Sequence, residues 1–101
     1  MATKPQECAS INEIRIEIDR IDKQIIDLIG ERLLYVREIV NYKSTAEEVQ
    51  AKTRYDEVLA IRKKWAEDKE LDPVVIEQIY KTLIASFIEE QMKLLKKKTA
   101  L

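Results

Sequence analysis

The sequence contains no histidine, one cysteine, one glycine and two prolines among its 101 residues. Each scarcity removes a class of chemistry. Without histidine, and with Cys8 alone, the chain offers no ligand set for a zinc or haem site. It also offers no Ser-His or Cys-His nucleophile pair. A single cysteine excludes an internal disulfide framework, and a single glycine excludes a glycine-rich phosphate loop of the Walker type. No run approaches the roughly 18–20 apolar residues that a membrane span needs. The N-terminal MATKPQECAS lacks the basic stretch and apolar core of a signal peptide. The expectation is a cytoplasmic protein with Cys8 as a free thiol. Eighteen Lys and Arg nearly balance nineteen Asp and Glu, for a net charge of −1, so nothing drives the chain as a whole toward nucleic acid.

Abundant Ile, Leu, Glu and Lys, with so little Gly and Pro, predict an all-α chain of long helices in one domain. Ser10-Ile-Asn-Glu13 has the form of a capping box. The apolar positions Ile11, Ile14, Ile18, Ile21, Ile25 and Leu28 then follow at alternating steps of three and four, the seam of a helix. With no proline to interrupt it, this first helix is expected over about 11–43. The stretch 44–52 has no clean period and reads as a loop. A second helix is expected over about 53–69, carrying Tyr55, Val58, Leu59, Arg62, Trp65 and Ala66. Asp72-Pro73 supplies an N-cap and a proline at the first helical position, opening a third helix over about 73–98. That helix carries Ile76, Ile79, Tyr80, Leu83, Ile84, Phe87, Ile88 and Leu95. Lys96-Lys97-Lys98 reads as a solvated end, where cations suit the helix dipole. Gly30, in mid-helix, reads as a place where another helix comes close.

A first helix of this length would run about 45 Å, longer than a compact monomer of this size is wide. Two shorter helices cannot cover it, so its seam predicts a second copy and an intertwined homodimer.

Several polar residues interrupt the apolar faces. Arg32 stands where the first seam calls for an apolar residue. Lys43 lies eleven residues later, within about 20° of it on a continuous helix and about 16 Å along the axis, with Val36 between. Gln91 follows Ile84 by seven and Phe87 by four, which puts it on the apolar face of the third helix. Buried polar groups need partners, and a buried cation needs an anion, which here could be a ligand. Arg15 lies about 25 Å from Arg32 and about 100° out of phase, so the two converge on one small molecule only if they come from different chains. Arg54, near a helix N-terminus, is a further anion-binding candidate. The competing structural reading pairs Arg15 with Asp19, gives Arg32 a buried carboxylate, and leaves Lys43 and Arg54 as surface charges. Tyr35, Tyr55, Tyr80 and Trp65 read as core or core-rim residues.

The ordered set Ile14-Arg15, Ile18-Asp19-Arg20-Ile21-Asp22, Arg32, Lys43, Arg54, Leu71-Asp72 and Gln91 resembles the all-helical chorismate mutase family, from about Glu7 to Met92. The resemblance implies three helices per chain, an intertwined dimer and two sites that each draw on both chains. It implies that Arg15 reaches a substrate carboxylate from the partner chain and that Arg32 holds the other within its own. Lys43 would contact the ether oxygen and a carboxylate, Arg54 would order the neighbouring loop, and Gln91 would face the ether oxygen from the opposite side. Val36 and Ile88 would be apolar walls.

The chain departs from the mutase pattern at Ala51 and Tyr55, where mutases carry carboxylates, one of them for the ring hydroxyl. It departs again at Phe87, which takes the place of a small polar residue and would line the substrate. These departures, with the K-P-Q-E-C start and the R-K-K-W-A-E-D-K-E-L-D segment, resemble the isochorismate-pyruvate lyase branch, which splits isochorismate into salicylate and pyruvate, often with mutase side activity. The implied reactions are pericyclic and use no cofactor or metal. The substrate would be a small dicarboxylate, isochorismate or chorismate, and no nucleic acid or membrane is implied. A chorismate mutase proper and a non-catalytic helical dimerisation module remain the alternatives.

Overall fold

The computed structural model describes residues 4–100, and among these every regular element is helical. A short 3₁₀ turn, Pro5–Glu7, precedes α1 (Ile11–Ile39), which a second 3₁₀ turn, Val40–Tyr42, extends. Then come α2 (Ala46–Gln50), α3 (Lys52–Asp68) and α4 (Pro73–Thr99). The chain divides into two compact units, Met1–Leu34 and Tyr35–Leu101.

In the first unit, α1 starts on a capping box. The Ser10 hydroxyl accepts from the Glu13 amide at 3.2 Å, and the Glu13 carboxylate reaches back to accept from the Ala9 amide. No residue of α1 is buried within the chain. Its apolar residues Ile11, Ile14, Ile16, Ile18, Ile21, Ile25, Ile26 and Leu28 are between 40% and 67% exposed. Among the described residues, a Cβ added at Gly30 would meet nothing within 4 Å.

In the second unit, α3 and α4 pack on each other across the connection 69–72. Lys63 lies opposite Glu77 at 3.0 Å, and the Arg62 guanidinium lies over the Tyr80 ring at 5.6 Å. The Arg62 guanidinium also lies 4.7 Å from the Trp65 ring, and Trp65 and Tyr35 are exposed. The end of α3 is a Schellman motif, with the Leu71 amide donating to Ala66 at 2.8 Å and the Glu70 amide to Glu67 at 3.0 Å. Such a motif puts its C′ residue in the left-handed region, normally the place of glycine. Here Glu70 occupies it at φ 58°. Asp72 caps α4 by accepting from the Val74 amide at 2.9 Å, with Pro73 in the first turn.

Two sequence expectations are corrected here. The first helix stops at Ile39 rather than 43: the chain tightens into the 3₁₀ turn and becomes extended at Lys43 (φ −115°, ψ 146°). The stretch expected as a loop holds α2. Thr45-Ala-Glu-Glu48 is itself a capping box motif, and the Thr45 hydroxyl accepts from the Glu48 amide at 3.2 Å. Val49 of this short helix joins Val40 and Leu95 in a buried cluster, against which Ile88, Met92 and Leu94 pack. Ala51, left-handed at φ 43°, separates α2 from α3.

Candidate active site

The polar residues singled out in the sequence fall in both units. In the first, Arg15 is exposed and makes no ion pair among the described residues, with Asp19 or any other. Arg32 is half-buried. Cys8 gives a weak hydrogen bond to the Lys4 carbonyl at 3.8 Å. Desolvation, then the carboxylates of Glu13, Glu17 and Glu7, push its thiol above the ordinary value. That opposes formation of the thiolate a nucleophilic role requires.

In the second unit, Gln91 is the buried polar side chain, only 7% exposed. Its Nε2 donates to the Val36 carbonyl at 2.9 Å. Val36 lies in the last turn of α1, so this bond ties α4 to that turn. Gln91 spends one amide hydrogen on it and keeps the second N–H and the carbonyl oxygen for another group. Phe87, one turn earlier on α4, is buried, and Val36 and Ile88 are half-buried.

Lys43 is half-buried at the end of the 3₁₀ turn. Its ammonium has no hydrogen bond or ion pair among the described residues. Lys43 does not share the phase with Arg32 that a continuous helix through position 43 would give, because the last steps are 3₁₀ and then extended, with a different rotation per residue. Arg54 is exposed and sits 3.9 Å from Glu57, an ordinary surface pair of small energetic weight.

A cleft of about 350 Å³ lies between α4 and the junction of α2 and α3, lined by Gln50, Lys52, Tyr55, Ala85 and Ile88. Of the residues named from the sequence as substrate contacts, Ile88 is the one on this lining. Gln50, Lys52 and Ala85 carry no signal in the sequence; Gln50 is placed by α2, which is too short to show a period. The lining carries no carboxylate: Lys52 is its one charged residue, and it pairs with Asp56.

A second group of contacts was also missed. The Lys98 ammonium donates to the carbonyls of Val40 at 3.1 Å, Asn41 at 3.4 Å and Lys43 at 2.7 Å. The C-terminal lysine run is therefore not wholly solvated. Nearby, Arg37 Nε and Nη2 both contact Glu90 Oε1 at 3.0 Å. Among the described residues there is no group of three His, Cys, Asp or Glu placed to hold a metal ion. No helix among them is long and apolar enough to cross a membrane.

Comparison with known proteins gives this arrangement its context. Residues 14–92 match the family described as chorismate mutase type II. The chain is 34% identical over 89 residues to a Pseudomonas aeruginosa protein named isochorismate pyruvate lyase, covering 88% of each chain. The matched span takes in Arg15, Arg32, Lys43, Arg54 and Gln91 together with all of α2 and α3. The protein belongs to the chorismate mutase type II family of enzymes.

Proposed function

We propose that the protein is an isochorismate-pyruvate lyase that converts isochorismate to salicylate and pyruvate, with chorismate mutase side activity. The observation that carries this reading is the cleft beside Ile88. Tyr55 lines it and Ala51 precedes it, at the two positions where the mutase pattern has carboxylates, and no carboxylate lines it. A site without that carboxylate loses a partner for the ring hydroxyl of chorismate. The relative named isochorismate pyruvate lyase supports the same choice.

The working unit is an intertwined homodimer with two shared sites. Its support is the apolar seam of α1, whose six residues Ile11, Ile14, Ile18, Ile21, Ile25 and Leu28 are all exposed, on a helix of 29 residues. The substrate is a dianion. Arg32 takes one carboxylate and the partner subunit's Arg15 the other, each by the planar two-point contact that a guanidinium makes. Lys43 and Gln91 donate to the ether oxygen. The Lys43 ammonium has no partner among the described residues, and the Gln91 amide retains an N–H beyond the one held by Val36. Val36, Phe87 and Ile88 form the apolar walls, and Arg54 orders the α2–α3 junction.

The reaction is concerted. Hydrogen passes from the ring to the departing enolpyruvyl group as the ether C–O bond breaks, so pyruvate leaves and the ring becomes aromatic. No nucleophile or cofactor takes part. The residues act by holding the reactive conformer and by complementing charge on the breaking ether.

The test is to supply purified protein with isochorismate and, separately, chorismate, following salicylate fluorescence, pyruvate and prephenate. Faster salicylate release than prephenate formation is expected. Prephenate from chorismate with no salicylate from isochorismate would make the protein a mutase. Subunit sharing is tested by mixing inactive Arg15→Ala and Lys43→Ala proteins under conditions that exchange subunits. Activity should return, because one intact site can form per heterodimer, and silence after proven exchange would place Arg15 outside the site.

A further inference from the structure

We propose that Lys98 is a positioning residue, which fixes the backbone of residues 40–43 and so sets the direction in which Lys43 leaves the helix end. The inference rests on the reading of Lys43 as the residue that acts on the ether oxygen. It starts from what a helix terminus leaves undone. The last carbonyls of a helix have no amide partner and carry the negative end of the dipole. At the end of α1 the chain makes a 3₁₀ turn, in which the Lys43 amide donates to Val40 at 3.1 Å. The Lys98 ammonium has three hydrogens and meets three carbonyls there, those of Val40, Asn41 and Lys43. The shortest contact, 2.7 Å, is to the carbonyl of Lys43 itself.

Three further features distinguish this clamp from a casual surface contact. Beneath it lies the buried cluster of Val40, Val49 and Leu95, which ties the 3₁₀ turn, α2 and α4 together. The last turn of α4 is held by Thr99, whose hydroxyl donates to Leu95 at 3.0 Å. Lys98 also lies seven residues after Gln91, within about 20° on the same face of α4. Gln91 donates to the Val36 carbonyl in the last turn of α1, and Lys98 donates to those of Val40, Asn41 and Lys43 beyond it. One face of α4 therefore holds the last turn of α1 and the 3₁₀ turn after it, and the Lys43 side chain, with no partner among the described residues, projects from the last residue held. An ammonium whose own main chain is held in this way loses less entropy when it meets substrate. The neighbouring Lys97 makes no hydrogen bond or ion pair among the described residues and serves as the control.

The test compares Lys98→Met, Lys98→Arg and Lys97→Met in steady-state turnover of isochorismate, together with amide hydrogen exchange across residues 36–50. Lys98→Met should lower kcat by on the order of 10- to 100-fold, the scale for misplacing a catalytic group, with a smaller change in KM. Lys98→Arg, which still donates to carbonyls, should recover much of the loss, and Lys97→Met should match wild type. In a Lys43→Ala background, Lys98→Met should cost nothing further. Exchange at residues 40–43 should quicken in Lys98→Met while α3 stays protected. Wild-type kcat in Lys98→Met, or an equal further loss in the Lys43→Ala background, would overturn the proposal. If wild-type protein turned over neither isochorismate nor chorismate, the functional reading would fall. The exchange comparison would then still decide the clamp, with unchanged exchange at 40–43 counting against it.

Discussion

The two compact units of the chain use apolar residues in opposite ways. In Met1–Leu34 they form a long stripe on one helix that stays exposed. In Tyr35–Leu101 they converge: Val40, Val49, Val58, Leu59, Ala66, Phe87 and Leu95 are all buried. The polar contacts differ too. The first unit has local ion pairs such as Lys23–Asp27 and Arg20–Glu17. The second has local pairs as well, such as Lys52–Asp56 and Lys64–Asp68, and adds contacts that join separate elements, such as Arg37–Glu90, Lys63–Glu77, Gln91–Val36 and Lys98 with the 3₁₀ turn after α1. The second unit has its own tertiary structure. The first has an amphipathic helix whose stability must come from packing its face on something else. This contrast is the physical basis for the proposed dimer.

The most damaging way to break the contrast is a charge on the open stripe. Ile25→Asp should abolish assembly, because a carboxylate buried at a helix–helix seam has no partner. In light scattering the wild type should run at twice the 11.9 kDa chain mass, while the variant should be monomeric with reduced helicity. A folded wild-type monomer would show that the first unit needs no second copy.

The next largest effect is on chemistry alone. Lys43→Ala removes an ammonium with no hydrogen bond or ion pair among the described residues, so circular dichroism should not change. If it stabilises charge on the breaking ether, its loss should cost about 3–4 kcal/mol, or roughly 10²–10³ in kcat, with a smaller effect on KM. Lys43→Arg should also be impaired, since a planar fork does not replace a point charge. Near-wild-type turnover by Lys43→Ala would reduce this lysine to a solvated helix end.

How far the sequence discloses this contrast depends on the kind of signal. The α1 seam, the Ser10 cap and the Asp72-Pro73 start are local patterns, and each is present at the positions the sequence indicates. Gln91 was legible because it interrupts an apolar period. The α2 helix was not, although Thr45-Ala-Glu-Glu48 spells a capping box, because five residues are too few to show a period. The two left-handed residues were hidden for another reason. Glycine is the usual marker of that conformation, and here Ala51 and Glu70 adopt it. Lys98 was illegible in principle: its three acceptors lie more than fifty residues away, and a run of three lysines has the same composition whether or not one is engaged.

A smaller effect tests the second unit's cross-element polar contacts. Gln91→Leu keeps the apolar packing but removes the hydrogen bond from α4 to the Val36 carbonyl. Such a bond contributes about 0.5–1.5 kcal/mol net, so urea unfolding should shift to lower midpoint with an unchanged slope. The same variant loses the amide proposed to face the ether oxygen, so kcat should fall by more than the change in folded fraction. Wild-type stability would show that the Val36 contact adds nothing to the fold.

The smallest expected effect concerns Glu77, which bridges α3 and α4. Its Oε2 lies 3.0 Å from Lys63 and its Oε1 3.5 Å from Lys81. The hydrogen bond from Lys63 leads the causes that lower its pKa, and the charges of Lys63 and Lys81 add to it while desolvation opposes. A carboxyl whose pKa is lower folded than unfolded binds protons more readily in the unfolded chain, so it favours folding as pH rises. The contribution is therefore fully present above the unfolded value, near 4.5, and is lost as pH falls through the folded one. Lys81 is exposed and Lys63 half-buried, and solvent screens such pairs. Thermal melts of wild type and Glu77→Gln should differ slightly at pH 6, and the gap should narrow as pH drops below the usual carboxylate range. Added salt should shrink it at pH 6. A gap that widened toward low pH would mean that Glu77 stabilises the α3–α4 pair in its protonated form, and that the lysine contacts are incidental.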